Sequence, residues 1–326
     1  MTSSLPPTRV GVIGVGHLGQ HHARLLSELP RSRLVGVFDT NRNRAERIAK
    51  KTRSRAFGSL ESLLADTSAV VVATPTETHF SVARQALEAN RDVLVEKPIT
   101  PSLDEASRLV QLASEKGRLL QVGHVERFNG AVLAAREWVE NPRFVEVHRL
   151  SPFPDRSTDI GVILDVMIHD IDILLSLVHS SVESIDAIGT AVLTEKEDIA
   201  NARLRFASGC VANITASRIS YQTMRKIRIF EPDRYISIDY HKQDAVIYRK
   251  KDPDKPLSRP EEIERVTPRI RKTEPLRLEL EAFLAACRGE RPRAATGEEA
   301  RSALQLALEI GNRIRTDTAL RANETR

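Results

Sequence analysis

Cysteine is nearly missing from this chain, with two residues, Cys210 and Cys287, among 326. Two thiols build neither a disulfide framework nor a four-thiolate zinc site, so both are expected as buried, reduced thiols of a cytoplasmic protein. Long apolar runs are missing too. No stretch approaches the roughly 18 residues of a membrane-spanning helix, and the start MTSSLPPTRV has neither a basic nor an apolar region of the secretory type. Aromatics make up 4% of residues, and the basic stretches at Arg225–Lys226–Ile227–Arg228 and Arg249–Lys250–Lys251 have no stacking platform beside them. Neither a membrane nor a nucleic acid is therefore an expected partner. Charge of one sign is also scarce. Lys and Arg number 49 against 44 Asp and Glu, a net +5 that suits a small anionic substrate as well as a polyanion.

What the chain does have is apolar residue for sizeable cores, 41% of the total. At about 150 residues per domain its length implies two domains. Up to residue 125, short β-branched runs (RVGVIG, RLVGVFD, AVVVAT, DVLVEK, RLLQVGH) alternate with helical stretches such as TETHFSVARQALEAN. The runs barely alternate polar with apolar, as strands buried on both faces do, and the rhythm predicts a doubly wound parallel sheet of the Rossmann type. From 126 to 326 the pattern changes to an α+β domain with an open, mainly antiparallel sheet. In IANARLRF, Ala200, Ala202, Leu204 and Phe206 share one face and Asn201, Arg203 and Arg205 the other, and Ser208–Gly209 supplies the turn to the next strand. Residues 251–275 carry Pro253, Pro256, Pro260 and Pro268 and read as a long surface excursion. Two closing helices, near 276–288 and 297–315, can pack back on the first domain.

The first chemistry-bearing motif is GVIGVGHLG, which places Gly14, Gly16 and Gly19 between a strand and a helix. The spacing gives a tight turn, a close approach for a pyrophosphate, and close helix–strand packing. His17 and Leu18 lie in that turn, and the helix N-terminus offers free N–H groups and the positive dipole end to phosphate. Asp39 ends the second strand, twenty residues after Gly19, where a carboxylate accepts ribose hydroxyls and repels a 2′-phosphate. NAD is thus expected over NADP, with Arg42 and Arg44 close enough to soften the preference. His21 and His22 find no carboxylate or thiol in the local sequence and read as surface residues of the helix rather than metal ligands.

Two further places suggest catalysis. Glu96–Lys97–Pro98 follows the fifth strand at the carboxyl edge of the sheet, where a lysine can hold a substrate hydroxyl and stabilise alkoxide charge. In LDVMIHDID, at about 100° per helical residue, Asp165, His169 and Asp172 share one stripe. His169 is the natural general base and an acid beside it the natural orienter of its ring. A helix-surface ion pair or an Asp–His–Asp metal site are the alternatives, and no further His or Cys cluster completes the latter.

Taken in order, GVIGVGHLG, Asp39, ATPTETH, VEKP and the D-x-x-x-H-x-x-D helix resemble the Gfo/Idh/MocA oxidoreductase family, over residues 8–245. The resemblance implies a dinucleotide-binding first domain and a second that binds substrate and forms homodimers or tetramers through its open sheet. It implies a cofactor site of Gly14, Gly16, His17, Leu18, Gly19, Asp39, Thr74, Pro75, Thr76, His79, Glu96 and Lys97, a cis Lys97–Pro98 bond, and Lys97, Asp165 and His169 as the catalytic set. The family often has a Gly-Gly pair just before the D-x-x-x-H-x-x-D helix, whereas this chain has Gly161 alone there. VGHVERFN, HRLSPFPDRSTDIGVILDVMIHDIDI and EDIANARLRFASGCVANITASRIS are further similar to the bacterial branch that oxidises UDP-N-acetylglucosamine at its 3-hydroxyl, upstream of an aminotransferase that makes the amino sugar of amide-linked lipid A. That likeness implies His124, Arg127, Asn129 and Arg156 as substrate contacts, to which the helical stripe adds Asp172. Other readings are an NADP-dependent dehydrogenase of another sugar or cyclic polyol, and a non-catalytic dinucleotide sensor, for which an acid–base set has no use.

Overall fold

The computed structural model describes residues 6–153 and 160–324. They pack as two units, one of residues up to Val125 with Glu274–Ser302, the other of Glu126–Thr273 with residues from Ala303 onward.

In the first unit, β1 (Thr8–Ile13), β2 (Ser32–Phe38), β3 (Arg55–Ala56), β4 (Ala69–Val72), β5 (Asp92–Glu96) and β6 (Leu120–Gly123) form one parallel sheet in the order 3-2-1-4-5-6. All four residues of β4 are buried, as the unbroken AVVV run requires of a strand covered on both faces. The helices α1 (Gly19–Glu28), α2 (Arg42–Thr52), α3 (Leu60–Asp66), α4 (Thr76–Glu88) and α5 (Leu103–Lys116) are the crossovers. Their ends are set locally. Asn41, Ser59 and Ser102 cap the amino ends of α2, α3 and α5 through their side-chain oxygens, and Gly117 closes α5 at φ +59°. Strand order reverses between β1 and β4, so the loops after these strands border the crevice where this architecture binds ligands.

The other unit holds an eight-stranded sheet. Its strands are β7 (Phe144–Leu150), β8 (Val182–Thr190), β9 (Ile199–Phe206), β10 (Val211–Ser217), β11 (Met224–Phe230), β12 (Arg234–Asp239), β13 (Asp244–Lys250) and β14 (Ile263–Val266). The order is 14-13-12-11-7-10-9-8, antiparallel except where β10 runs parallel to β7. One face is apolar. Val145 and Val147, Ala202 and Leu204, Ile214, Ile227, Ile236 and Ile247 point into a core shared with α6 (Gly130–Arg136) and α7 (Ile168–Leu177). The opposite face carries Glu146, His148, Asn201, Arg203, Asn213 and Thr215, which line a shallow open basin. Along its edge Phe144, Phe230, Tyr235 and Tyr248 form a cross-strand row, ring centroids 5.0–6.1 Å apart.

Three expectations change. Within the proline-rich excursion, Ile263–Val266 forms β14 against β13, because its backbone completes a ladder that composition does not reveal. Of the closing helices, α8 (Pro275–Ala286) buries Leu280, Phe283 and Leu284 in the core of the first unit, while α9 (Gly297–Glu324) is longer than expected and buries Leu306, Ala307 and Ile310 in the second. The helix expected through LDVMIHDID starts instead as a π-turn, Ile163–Met167.

Candidate active site

The glycine loop follows β1. Gly14 has φ +80°, and a Cβ there would lie 2.7 Å from the Ala73 carbonyl oxygen; at Gly19 it would lie 1.9 Å from the oxygen of Gly14. These two glycines are fixed by backbone contacts. Gly16 differs, since an added Cβ would meet only the Arg44 guanidinium at 3.8 Å. Beyond it, Leu18 stands at the N-cap of α1, with no side-chain cap and no acidic residue in the first turn. Free N–H groups, a positive dipole end and an open glycine are what a dinucleotide pyrophosphate needs, so the residues present fit the cofactor. His17 and Leu18 are exposed beside this opening.

Asp39 is buried, and its carboxylate is partly spent on the loop itself. Oδ2 accepts the Val15 N–H at 2.9 Å and Oδ1 the Asn41 N–H at 2.8 Å, with Arg44 Nη1 3.5 Å from Oδ2. After β4, Pro75 opens α4 and Thr78 donates its hydroxyl to the Thr74 hydroxyl. Thr74 and Thr76 are half-buried and Pro75 exposed. His79, expected beside the cofactor, is instead enclosed. Its Nδ1 lies 2.9 Å from the Pro98 carbonyl oxygen and its Nε2 2.9 Å from that of Thr74. Burial lowers its pKa below the ordinary histidine value, against the upward pull of both carbonyls.

At the end of β5, Glu96 and Lys97 are half-buried and the Lys97–Pro98 peptide is cis. His22 overturns its expected surface position: it is 1% exposed, and its Nε2 lies 2.7 Å from Glu96 Oε1. Burial alone would raise the Glu96 carboxyl, but the hydrogen bond and charge of His22, with Lys97 beside it, hold it below the ordinary carboxylate value. The sequence did hold a signal for this. Gly19, His22, Ala23 and Leu26 follow the spacing of the buried stripe of α1. His124, directly after β6, is buried as well.

In the other unit, Asp165 lies within the π-turn, where the Ile168 N–H reaches back to the carbonyl of Ile163. His169 stands in the first turn of α7, and both side chains are half-buried beside fully buried Ile163, Met167 and Ile168. π-turns recur at functional sites because they re-aim the side chains they carry. Asp172 departs from the expected substrate-facing stripe. Arg127, itself expected on substrate, donates Nε and Nη2 to both oxygens of Asp172, each at 2.7 Å, with both residues buried. The carboxylate found the nearest guanidinium, as a buried charge must. Asn129 is likewise engaged internally, its Oδ1 accepting the Ala131 N–H and its Nδ2 donating to the Tyr240 carbonyl. Arg156 lies outside the described residues. Among those described, no group of three His, Cys, Asp or Glu is placed to hold a metal ion.

A second buried fork was not foreseen. Arg149 on β7 donates Nε and Nη2 to Asp170 at 2.7 and 2.8 Å, and Nη1 to Glu126 at 2.9 Å, with its guanidinium over the Tyr240 ring. Burial pushes the Asp170 carboxyl up while Arg149 pulls it down, and the neighbouring acids keep the Arg149 guanidinium charged against its own burial. The turn and helix that bear Asp165 and His169 are thus tied to the 3₁₀ turn Val125–Phe128 by Asp172 and to β7 by Asp170.

Comparison with known proteins gives two family matches. Residues 8–124 match the Gfo/Idh/MocA description "oxidoreductase family, NAD-binding Rossmann fold", and residues 126–233 match the C-terminal domain of the same family. The UDP-N-acetylglucosamine 3-dehydrogenase of Acidithiobacillus ferrooxidans is 40% identical over 306 residues, 93% of this chain and 96% of that one. Its solved structure superposes with a TM-score of 0.89 at 38% identity, covering 96% of this chain and 99% of that one. The scyllo-inositol 2-dehydrogenase (NAD(+)) of Bacillus subtilis is 30% identical over 233 residues, 65% of this chain and 68% of its own.

Proposed function

Given that the chain belongs to the Gfo/Idh/MocA oxidoreductase family and is an NAD-dependent dehydrogenase, we propose that it oxidises the 3-hydroxyl of UDP-N-acetylglucosamine to a 3-keto sugar. The observation that supports this substrate is the likeness to the A. ferrooxidans enzyme, which runs at 40% identity through 93% of the chain, whereas the B. subtilis inositol dehydrogenase matches less of it and less closely.

NAD, when bound, supplies the acceptor for the hydride that leaves the sugar carbon. The chain's own residues handle the proton and the charge. His169 takes the hydroxyl proton as the carbonyl forms, Asp165 stabilises the resulting imidazolium, and Lys97 offers positive charge to the developing alkoxide. Acid–base help of this kind is worth roughly 10²–10⁴ in rate. Gly14, Gly16, His17, Leu18 and Gly19 hold the pyrophosphate, Asp39 the ribose, and Thr74, Pro75, Thr76 and Glu96 border the rest of the dinucleotide. Substrate contacts fall to His124 and Arg156. Arg127, Asn129 and Asp172 hold the backbone around the acid–base pair.

We further propose a cytoplasmic homodimer or tetramer assembled through the open face of the eight-stranded sheet, where Ile188 is 56% exposed and the aromatic row lies. The product would feed an aminotransferase of amide-linked lipid A synthesis. Among the described residues no helix is long and apolar enough to cross a membrane. Purified protein with NAD and UDP-N-acetylglucosamine should raise absorbance at 340 nm and yield a 3-keto product trapped by hydroxylamine. Turnover of free polyols alone would sink the substrate assignment, and a monomer by light scattering would sink the assembly.

A further inference from the structure

Two buried histidines converge on the turn that carries Lys97. His22 reaches it from α1 and meets Glu96 Oε1 at 2.7 Å, while Glu96 Oε2 accepts the Lys97 N–H at 3.2 Å. Gly123 on β6 makes the room, since a Cβ there would lie 3.0 Å from that same Oε2. His79 reaches the turn from α4 and meets the carbonyl of Pro98 on one side of its ring and that of Thr74 on the other. Glu96 and Pro98 are the residues immediately before and after Lys97, so the turn is gripped at both neighbours of the lysine.

We infer that His22 and His79 are positioning residues for Lys97, a clamp that fixes from two helices the turn that bears the lysine. The inference rests on the role proposed for Lys97 and adds what holds that residue in place. Three observations favour a built device over ordinary packing. Each histidine is 1% exposed, so its polar ring is inside at the cost of desolvation, which only a specific partner offsets. Each meets the turn at hydrogen-bonding distance, one at a carboxylate and one at a backbone carbonyl. And each sits on a helix that starts at a cofactor-facing loop, α1 after the glycine loop and α4 after Thr74 and Pro75, so one rigid set of contacts links the dinucleotide cradle to the lysine. Displacing a reacting group by about 1 Å can cost 10²-fold in rate.

The test is a mutant cycle on the full-length enzyme with NAD and UDP-N-acetylglucosamine. His22→Ala and His79→Ala should each lower kcat by about 10- to 100-fold, with KM for the sugar nucleotide and the NADH Kd, read by fluorescence, within about 3-fold of the parent. His22→Gln and His79→Asn place an amide N–H at the reach of the lost ring nitrogen and should recover most of the loss. In a Lys97→Ala background the same alanine substitutions should lower kcat by less than about 2-fold, because the group they position is gone. The cycle is repeated from Glu96→Gln, which strands no buried charge if His22→Ala folds poorly, with urea midpoints measured throughout. Equal losses with and without Lys97, or alanine variants with parental kcat, would overturn the clamp alone. Parental turnover by Lys97→Ala would overturn both the clamp and the role given to Lys97. The parent's own turnover tests the substrate, and the ratios among variants test the clamp.

Discussion

Arg149 and Asp170 meet as a two-pronged ion pair, 2.7 and 2.8 Å, with 4% and 1% of their surface exposed. Asp170 follows His169 directly, so this contact fixes where α7 begins its course past β7. Asp170→Asn leaves the buried guanidinium with one of its two carboxylate partners, Glu126. Removing one partner of such a pair costs about 3–5 kcal/mol, and a drop of that size in urea-unfolding free energy is expected. A loss below about 1 kcal/mol would show the pair to be dispensable.

The glycine loop separates stability from cofactor binding. Gly19→Ala drives a Cβ into the Gly14 carbonyl, and the backbone has no rotamer by which to escape. It should lose both NADH binding and at least about 2 kcal/mol of stability. Gly16→Ala projects toward open space, so its unfolding midpoint should stay within about 0.5 kcal/mol of the parent, while NADH Kd rises about 10-fold or more as the methyl meets the pyrophosphate. Equal effects of the two substitutions on unfolding would refute this division.

Asp39 has two tasks, since the carboxylate proposed to hold the ribose also accepts the N–H groups of Val15 and Asn41. Asp39→Ser removes the charge that repels a 2′-phosphate and releases Arg44, whose Nη1 is 3.5 Å from it. The ratio of kcat/KM for NADP over NAD should rise at least about 10-fold, with a stability loss of about 1–3 kcal/mol from the unpaired N–H groups. An unchanged ratio would place cofactor choice elsewhere.

These sites differ in how much of them can be read from residues in order. The glycine loop, Asp39 and the β–α rhythm are legible because spacing along one strand and one helix fixes them. The open antiparallel sheet is legible for a similar reason: Ala200, Ala202, Leu204 and Phe206 alternate with polar neighbours, and all four are buried. Partner choice is not legible. His22 finds Glu96 across 74 positions and Arg127 finds Asp172 across 45, by tertiary approach alone. The stripe drawn at 100° per residue through Asp165, His169 and Asp172 loses its last member to a partner that the local sequence does not show. Arg127, from outside the helix, claims Asp172 on its inner side. A short strand such as Ile263–Val266 leaves no periodicity long enough to stand out from its charged surroundings.

Asp198 makes one contribution to stability that depends on pH. Its Oδ2 accepts the N–H groups of Val192, Leu193 and Thr194 at 2.8, 2.6 and 3.0 Å, and its Oδ1 accepts Nε of the buried Arg218 at 2.8 Å. Burial would raise this carboxyl, but the three N–H groups and Arg218 outweigh it and hold it well below the ordinary carboxylate range. A group whose folded pKa is depressed binds fewer protons folded than unfolded. Its contribution is therefore fully present above the unfolded value of about 3.9 and is lost as pH falls from there toward the folded value. Asp198→Asn keeps an oxygen but not the charge. It should be less stable than the parent by about 2–4 kcal/mol at pH 7, with the gap visibly narrowed at pH 3. Urea midpoints of both proteins at the two pH values decide it, since the other carboxylates titrate in both and cancel in the difference. A gap of equal size at pH 3 and pH 7 would mean that Asp198 stabilises the loop by shape rather than by charge.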